Sequence, residues 1–340
     1  METRSLGKNG PAVSMIGLGC MGMSGLYGQA GEDQSIRTIH AALDAGINLL
    51  DTGDFYGMGH NEMLLEKALR GRRRDRFFLS VKFGGLRSPS GAFLGIDARP
   101  VAVKNFLAYT LRRLGTDYVD LYQPARIDPA VPIEDTVGAI AEMIQAGHVR
   151  YIGLSEAGSE TIRRACSVHP VAALQIEYGL VSRGVEPDIL PTLRQLGMSL
   201  VAYGVFSRGL LTGRFPGREG PSPGDIRAHF PRFQGENLER NRQLISRLEE
   251  VARATGLSVA QLAVAWVLSK GTDIIPLIGT KRPEQLAEAI EALPRTLSPQ
   301  EIRSIEQAVP EGSVAGDRYG PEQMRALDSE RRWNASHSSR

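Results

Sequence analysis

The sequence predicts an α/β fold, a (β/α)8 TIM barrel with an N-terminal β-hairpin and a long loop after strand seven. Three observations lead there. Short β-like apolar runs alternate with helical patterns, which implies parallel strands joined by crossover helices. Eight such units follow one another, and eight close a barrel more naturally than they extend an open sheet. The chain has 340 residues, long by the domain-length prior but ordinary for a one-domain α/β barrel.

The units come in order. Residues 15–18 (MIGL) precede a helix over 34–45, and 47–50 (INLL) precede one over 62–69. Residues 77–81 (FFLSV) lead to a helix near 101–114, and 118–122 (YVDLY) to one near 133–146. Residues 148–154 (HVRYIGL) are followed by a helix near 160–167, and 172–176 (AALQI) by one near 189–196. Residues 199–203 (SLVAY) precede a long loop and helices near 238–254 and 259–268; 274–278 (IIPLI) precede the last, near 283–293. Outside the repeat, residues 4–13 carry an Asn9-Gly10 turn, a strong hairpin signal, and are expected to cover the barrel bottom. Residues 206–237 are rich in Gly, Pro and Arg and lack periodicity; a loop this long is usually functional or disordered. One domain over 1–320 is expected, with a polar tail over 321–340 that either stays mobile or folds over the mouth.

Composition narrows the function. Apolar residues make up 42% and the net charge is +2. Nothing in that balance points to nucleic acid or an acidic membrane surface. Two cysteines, Cys20 and Cys166, fit a reduced cytoplasm better than a disulfide framework. No signal-peptide core and no long uninterrupted apolar run is visible, so a cytoplasmic monomer or weak homo-oligomer with a small-molecule partner is expected. Asn334-Ala335-Ser336 matches a glycosylation sequon and is read as chance.

Gly17-Leu18-Gly19-Cys20-Met21-Gly22 matches a dinucleotide fingerprint. That pattern needs a helix at the glycines, and Met23-Ser24-Gly25-Leu26-Tyr27-Gly28 is too glycine-rich to open one. A permissive loop at the end of strand one is the better reading, with a backbone that a ligand can approach closely.

The chemistry gathers at consecutive strand ends, where barrel enzymes carry it. Asp51 closes INLLD, Tyr56 follows in DTGDFYG, and Lys82 closes FFLSVK. A phenol with a pKa of about 10 is a weak acid at neutral pH, and a neighbouring ammonium is expected to lower it. Asp51 would hold the ammonium charged, so the three form a proton-donating relay. Two other readings stay open: a structural Asp51–Lys82 ion pair, or Schiff-base chemistry at Lys82.

Eight segments carry a resemblance: IGLGCMGMSG, NLLDTGDFYGMGHNE, VKFG, LRRLGTDYVDLYQ, YIGLSE, LQIEYGLVSR, SRGLLTG and IPLIGTKRPEQLAEAI. They run in order over residues 4–310, and the chain resembles the aldo-keto reductases. The resemblance implies a barrel that binds NADPH/NADP+ across its mouth and transfers hydride to a carbonyl, with Tyr56 as proton donor and Asp51 and Lys82 as its tuning partners. It implies nicotinamide contacts from Ser155, Glu156 and Gln175, and stacking on Tyr203. Gly19, Cys20 and Met21 fall in the loop after strand one. Gly204, Val205, Phe206, Ser207 and Arg208 lead into the loop that covers the pyrophosphate. Gly279, Thr280 and Lys281 match the 2′-phosphate contacts, and Gln285 and Glu288 the adenine contacts. The residues agree at the phosphate end: Gly279-Thr280-Lys281-Arg282 sits before a helix N-terminus, where a phosphate is favoured.

Departures from the family stand out. Glu156 replaces the usual Asn, Gly204-Val205-Phe206 replaces Ser-Pro-Leu, and Ala289 follows Glu288 where Asn is usual. In the stretch that usually reads His-Arg-x-Asp, this chain has Ala125-Arg126-Ile127-Asp128. The member therefore lacks the catalytic His; a lost oxyanion donor costs about 10²–10³ in rate. Among the histidines only His60 lies near Tyr56 in sequence, and no His/Cys/Asp/Glu grouping has metal-ligand spacing. The leading expectation is an NADPH-dependent oxidoreductase acting on an aldehyde, a ketone or an activated unsaturated substrate. A nicotinamide-binding regulatory protein with slow turnover and a barrel lyase or isomerase using Lys82 are the alternatives. Substrate choice is expected from Met23, Leu26, Phe55, Leu86, Phe93, Phe206 and the tail.

Overall fold

The computed structural model describes residues 1–28, 30–213, 221 and 225–331. The chain begins with an antiparallel hairpin of β1 (Thr3–Ser5) and β2 (Ala12–Ser14). Barrel strands β3 (Gly17–Gly19), β4 (Leu49–Gly53) and β5 (Phe78–Phe83) follow. A second hairpin, β6 (Gly85–Arg87) and β7 (Phe93–Ile96), interrupts the repeat. Then come β8 (Val119–Pro124), β9 (Val149–Ser155), β10 (Val171–Glu177), β11 (Ser199–Tyr203) and β12 (Ile274–Gly279). Successive barrel strands pair in parallel, and β12 pairs with β3 to close the ring. All eight expected strands are present.

The helices are α1 (Glu32–Asp44), α2 (His60–Leu69), α3 (Pro100–Leu114), α4 (Ile133–Gln145), α5 (Ser159–Val168), α6 (Ile189–Leu196), α7 (Gly235–Thr255), α8 (Val259–Ser269), α9 (Pro283–Glu291), α10 (Pro299–Ala308) and α11 (Pro321–Ala326). Among the described residues no single helix is long and apolar enough to cross a membrane. After Gly19 the chain makes a 3-10 turn over Met21–Ser24 and not an α-helix, so the glycine pattern opens no dinucleotide fold.

Strand alternation sorts the side chains. On β5, Leu79, Val81 and Phe83 pack outward in the main core with the helices, while Phe78 joins an inner cluster. That cluster holds Leu49, Leu121, Ala173, Val201, Ile275 and Leu277, and the first hairpin plugs it from below with Leu6 and Val13. Burying each leucine, isoleucine or valine of this cluster contributes about 1.5–3 kcal/mol. Gly17 faces this layer, where an added Cβ would lie 2.6 Å from Leu277 and 2.8 Å from Leu49, so a larger residue would have to push both leucines aside. Higher in the barrel the inward positions turn polar: Asp51, Ser80, Lys82, Gln123 and Gln175 are all buried.

Two features lie outside the sequence expectation, and a third follows one of the two alternatives given for the tail. The β6–β7 hairpin follows β5. Helix α10 starts from a capping box between Ser298 and Glu301, which satisfies two free N–H groups at once. The segment after residue 310 packs back on the barrel, with Arg318, Met324, Leu327 and Asp328 buried and the Ser329 N–H donated to the Glu156 carbonyl at 3.1 Å. The rest of the tail, 332–340, including the Asn334 sequon, lies outside the described residues. So do 214–220 and 222–224 of the long loop; its described parts form 3-10 turns at Ser207–Thr212, Ile226–His229 and Pro231–Phe233.

Candidate active site

The register of β4 against β5 pairs Asp51 with Ser80 and Gly53 with Lys82. Both strands turn these side chains inward, and the Lys82 ammonium bonds Asp51 Oδ1. Asp51 Oδ2 accepts from Ser80 Oγ at 3.0 Å and from Gln175 Nε2 at 2.6 Å. Gln123 Nε2 donates to Ser80 Oγ at 3.1 Å, so β4, β5, β8 and β10 meet in one network around the carboxylate. A buried ion pair is tolerated only when its remaining lone pairs are satisfied, and here they are.

Tyr56 sits in the turn after β4. Its N–H bonds Gly53 O at 3.0 Å, its carbonyl caps Asn61 N at 3.2 Å, and Phe55 packs edge-on at 4.8 Å. The Lys82 Nζ lies 5.3 Å from the Tyr56 ring centre. Tyr56 is buried, and among the described residues its hydroxyl makes no hydrogen bond. Burial first, then Asp51, push its pKa well above the usual phenol value; the cation that pulls it down is Arg126. The sequence assigned that role to Lys82. The Lys82 ammonium is tied up in its ion pair with Asp51, which itself raises the phenol pKa.

Asp54 lies behind this turn with Oδ2 accepting the Gly84 N–H at 3.3 Å and Oδ1 without a partner. Burial, with Glu62 adding, raises its carboxyl pKa to about 7. The folded state therefore binds a proton that the unfolded chain releases near pH 4. Stability from this group is present at low pH and is lost as pH rises toward 7. Asp54→Asn keeps the acceptor and removes the titration. Urea midpoints at pH 5 and pH 8 should differ less in Asp54→Asn than in wild type; an equal difference refutes the assignment.

Cofactor-type positions show a second pattern. Buried polar atoms are normally partnered. Among the described residues seven such atoms lack a partner, and three belong to Ser155 (Oγ), Ser207 (Oγ) and Arg208 (Nη1). Among the described residues four non-glycines adopt positive φ, and three of them are Glu156, Ser207 and Arg208. Left-handed backbone costs roughly 1–2 kcal/mol per residue and concentrates at functional sites. Orphaned donors and strained backbone thus coincide along one side of the mouth. Beyond them, Lys281 Nζ bonds the Tyr27 and Gly28 carbonyls at 3.2 and 3.3 Å, and Thr280 Oγ1 donates to Gln285 Oε1 at 2.8 Å.

A profile of the Aldo/keto reductase family matches residues 15–310. The chain belongs to the aldo-keto reductase family. It is 41% identical over 315 residues to probable aldo-keto reductase 1 of Glycine max, covering 92% of this chain and 90% of that one. It is 37% identical over 326 residues to the Schizosaccharomyces pombe aldo-keto reductase named yakc [NADP(+)], covering 94% and 95%. Among solved structures it superposes on a glycerol dehydrogenase of Gluconobacter oxydans with TM-score 0.81 and 30% identity, over 90% of this chain and 94% of that one. An aldo-keto reductase of Bacillus halodurans in holo form gives TM-score 0.76 and 28% identity, over 91% and 96%. As a member of this family the protein is an NADP-dependent oxidoreductase of carbonyl compounds.

In this reductase Asp51, Lys82, Gln175 and Tyr56 come together, with Ser155 on the neighbouring strand β9. Gly19 lies beside Gly279 across the β3–β12 pair, and the Cys20 N–H bonds Asp51 O at 2.9 Å. Met21 opens the following 3-10 turn. Gly204 needs its φ of +73°, and an added Cβ would lie 2.9 Å from Glu177 Cγ, which accounts for glycine replacing the usual serine. Val205 is buried; Phe206 is half-buried and packs against the main core. Glu288 is tied to Ser258 Oγ at 2.7 Å. His60 is exposed and bonded to Ser24 Oγ at 3.0 Å. Among the described residues no cluster of His, Cys, Asp and Glu could hold a metal ion.

Sequence reasoning missed the network beneath the mouth. Glu156 receives Arg318 through Nη1 at 2.9 Å and Nη2 at 2.5 Å, the Tyr203 hydroxyl at 2.7 Å and Ser329 Oγ at 2.8 Å. Glu177 receives Arg208 at 2.9 Å and Arg232 at 3.2 Å. It also missed Asn61, which bonds Cys20 O at 2.9 Å, Ser24 Oγ at 2.7 Å and Thr52 Oγ1 at 2.7 Å, tying the β3 loop to β4. The one available signal was Glu in place of Asn at 156: a buried carboxylate demands a cation from elsewhere in the chain.

Proposed function

We propose that this reductase uses NADPH to reduce an aldehyde, a ketone or an activated unsaturated group, with Tyr56 as general acid. The observation that carries the reading is a buried phenol held protonated beside the Asp51–Lys82 pair at the barrel mouth. Ser155 and Gln175 would hold the nicotinamide carboxamide and Tyr203 would stack on the ring. Ser207 and Arg208 offer unpartnered buried donors to the pyrophosphate, and Thr280 and Lys281 the 2′-phosphate contacts. Glu156, already saturated by Arg318, Tyr203 and Ser329, acts there chiefly by fixing Tyr203 and the tail. When bound, the cofactor supplies the hydride. Tyr56 gives its proton to the substrate oxygen, and Lys82, held by Asp51, keeps a positive charge near the developing phenolate. Burial lowers the Lys82 pKa and the Asp51 contact opposes that, and an amine held in an ion pair is disfavoured for Schiff-base chemistry. On this reading the protein acts in the cytoplasm as a monomer or weak homo-oligomer, with one barrel domain over 1–320. NADPH oxidation screened over varied carbonyl compounds tests the reading; oxidation with none of them refutes it.

Lys281 gives a sharper test of the cofactor. Its ammonium lies between two carbonyls and near Arg227 and Arg282, whose charges, after burial, lower its pKa. A cluster of cations favours a dianionic phosphate. Lys281→Ala should weaken NADPH by roughly 1.5–3 kcal/mol and NADH little. Fluorescence titrations of both cofactors measure this, and equal wild-type affinities for NADPH and NADH would end the argument.

A further inference from the structure

The end of β8 carries Ala125, buried, with its N–H on the Phe83 carbonyl at 2.8 Å. The oxygen that gains charge during reduction therefore needs a donor from another residue. Proton counting identifies it. The Tyr203 hydroxyl donates its single proton to Glu156 Oε1 at 2.7 Å. In the 2.9 Å contact between Tyr203 and Tyr319 the donor is then Tyr319, which has no second proton to give. Arg126 Nη2 donates to the Tyr319 oxygen at 3.2 Å, and its Nη1 donates to the Ala125 carbonyl at 2.6 Å. A guanidinium has five N–H groups, so three remain.

Charge gives the same answer. Arg208 and Arg232 are paired with Glu177, and Arg318 with Glu156. Arg126 is half-buried at the same mouth and, among the described residues, makes no ion pair. Glu156 acts on it through space, but none of the described carboxylates touches it, and a ligand that does would complete this partly buried cation. Tyr319 fixes it from one side: Phe230 packs edge-on to that ring at 5.5 Å and Arg208 covers it at 4.7 Å.

We propose that Arg126, positioned by Tyr319 of the C-terminal segment, donates a hydrogen bond to the substrate's carbonyl oxygen in place of the missing imidazole. The inference rests on the reductase reading above. Hydride goes to the carbonyl carbon, the C=O π pair moves to oxygen, and Tyr56 supplies the proton that oxygen takes up; NADPH leaves as NADP+. Arg126 exchanges no proton. Its charge also acts on Tyr56, which otherwise faces Asp51, Lys82, Tyr27 and Tyr319.

The test uses the full chain with NADPH and two probes, 4-nitrobenzaldehyde and methylglyoxal. Wild type, Tyr56→Phe, Arg126→Gln, Arg126→Lys, Ala125→His and the double variant Ala125→His/Arg126→Gln are compared. Arg126→Gln should lower kcat by about 10²–10³, as loss of one oxyanion donor does. NADPH affinity should stay close to wild type. The alkaline limb of the pH profile should move to higher pH, because the cation that lowers the Tyr56 pKa is gone. Arg126→Lys should recover part of the loss, and the double variant should exceed Arg126→Gln. An Arg126→Gln enzyme with wild-type kcat and an unmoved limb overturns the proposal, as does a loss confined to KM or matched by lost NADPH binding. A Tyr56→Phe enzyme that stays active overturns the reading beneath it, whatever Arg126→Gln does. Absence of NADPH oxidation by wild type with both probes overturns the two together.

Discussion

Tyr56→Phe is expected to lower kcat for carbonyl reduction by about 10²–10⁴, the span of a general acid. The change removes one oxygen. That oxygen makes no hydrogen bond among the described residues, and the ring keeps its edge contact with Phe55 and its place above Lys82. Thermal unfolding and NADPH binding should therefore match wild type. The phenol's raised pKa, from burial and then Asp51, keeps it protonated throughout the neutral range. Reduction should thus be flat with pH there and fall only on the alkaline side. Lys82→Met is a poorer probe. It strands Asp51 as a buried carboxylate without its cation, which costs about 3–5 kcal/mol and confuses folding with catalysis. Single-turnover measurement of NADPH oxidation in Tyr56→Phe decides the matter. If more than about a tenth of the rate survives, Tyr56 is not supplying a general acid's contribution.

The barrel was legible because its physics is local. Each strand is a short apolar run, each helix a longer periodic one, and their alternation dictates parallel pairing. The hairpin over residues 4–13 could be assigned to the barrel bottom from its Asn9-Gly10 signal, although the chain turns over residues 7–10 with Gly7, not Asn9 or Gly10, at positive φ. Asp51, Tyr56 and Lys82 were legible because strand ends bring their side chains together at one face. The β6–β7 hairpin was not: three and four residues, with glycine in both strands, leave little pattern to read. Helix α10 had a readable start in Ser298 and Glu301, a capping box that the apolar pattern alone passes over. The tail is the deeper case. Arg318 bonds Glu156 across 162 positions of chain, and no periodicity encodes a contact of that range. A polar composition left two outcomes open, a mobile tail or one folded over the mouth, and only the buried carboxylate of Glu156, which needs Arg318, decides between them.

Arg318→Met is the second large effect, expected in stability. Arg318 is buried and bidentate on Glu156, with a further oxygen of Glu177 at 3.6 Å and Glu330 Oε1 at 2.8 Å. Removing one partner of a buried pair costs about 3–5 kcal/mol, because the other charge stays buried. The pH dependence gives the sign. Burial by itself would raise the Glu156 pKa, but Arg318 outweighs it and holds the carboxyl well below the usual carboxylate range. A depressed folded pKa contributes stability that is present above the unfolded pKa, near pH 4, and is lost as pH falls through the folded one. In Arg318→Met burial wins, the folded pKa rises above the unfolded value, and the contribution of this group reverses: stability then falls as pH rises. Urea unfolding at pH 5 and pH 8 should show the variant weakened more at the higher pH. The companion variant Glu156→Gln/Arg318→Met removes both charges, and replacing a buried pair by neutral groups is often close to neutral in stability. It should recover most of the loss. Tyr203 and Ser329 keep an amide oxygen to donate to, so the tail stays anchored in the double variant and not in the single one. Limited proteolysis of the C-terminal segment reads that difference directly. A single variant that loses less than about 1 kcal/mol, well short of the usual cost of breaking a buried pair, would mean that Arg318 does not compensate Glu156 and that the tail is held by packing of Met324 and Leu327 alone.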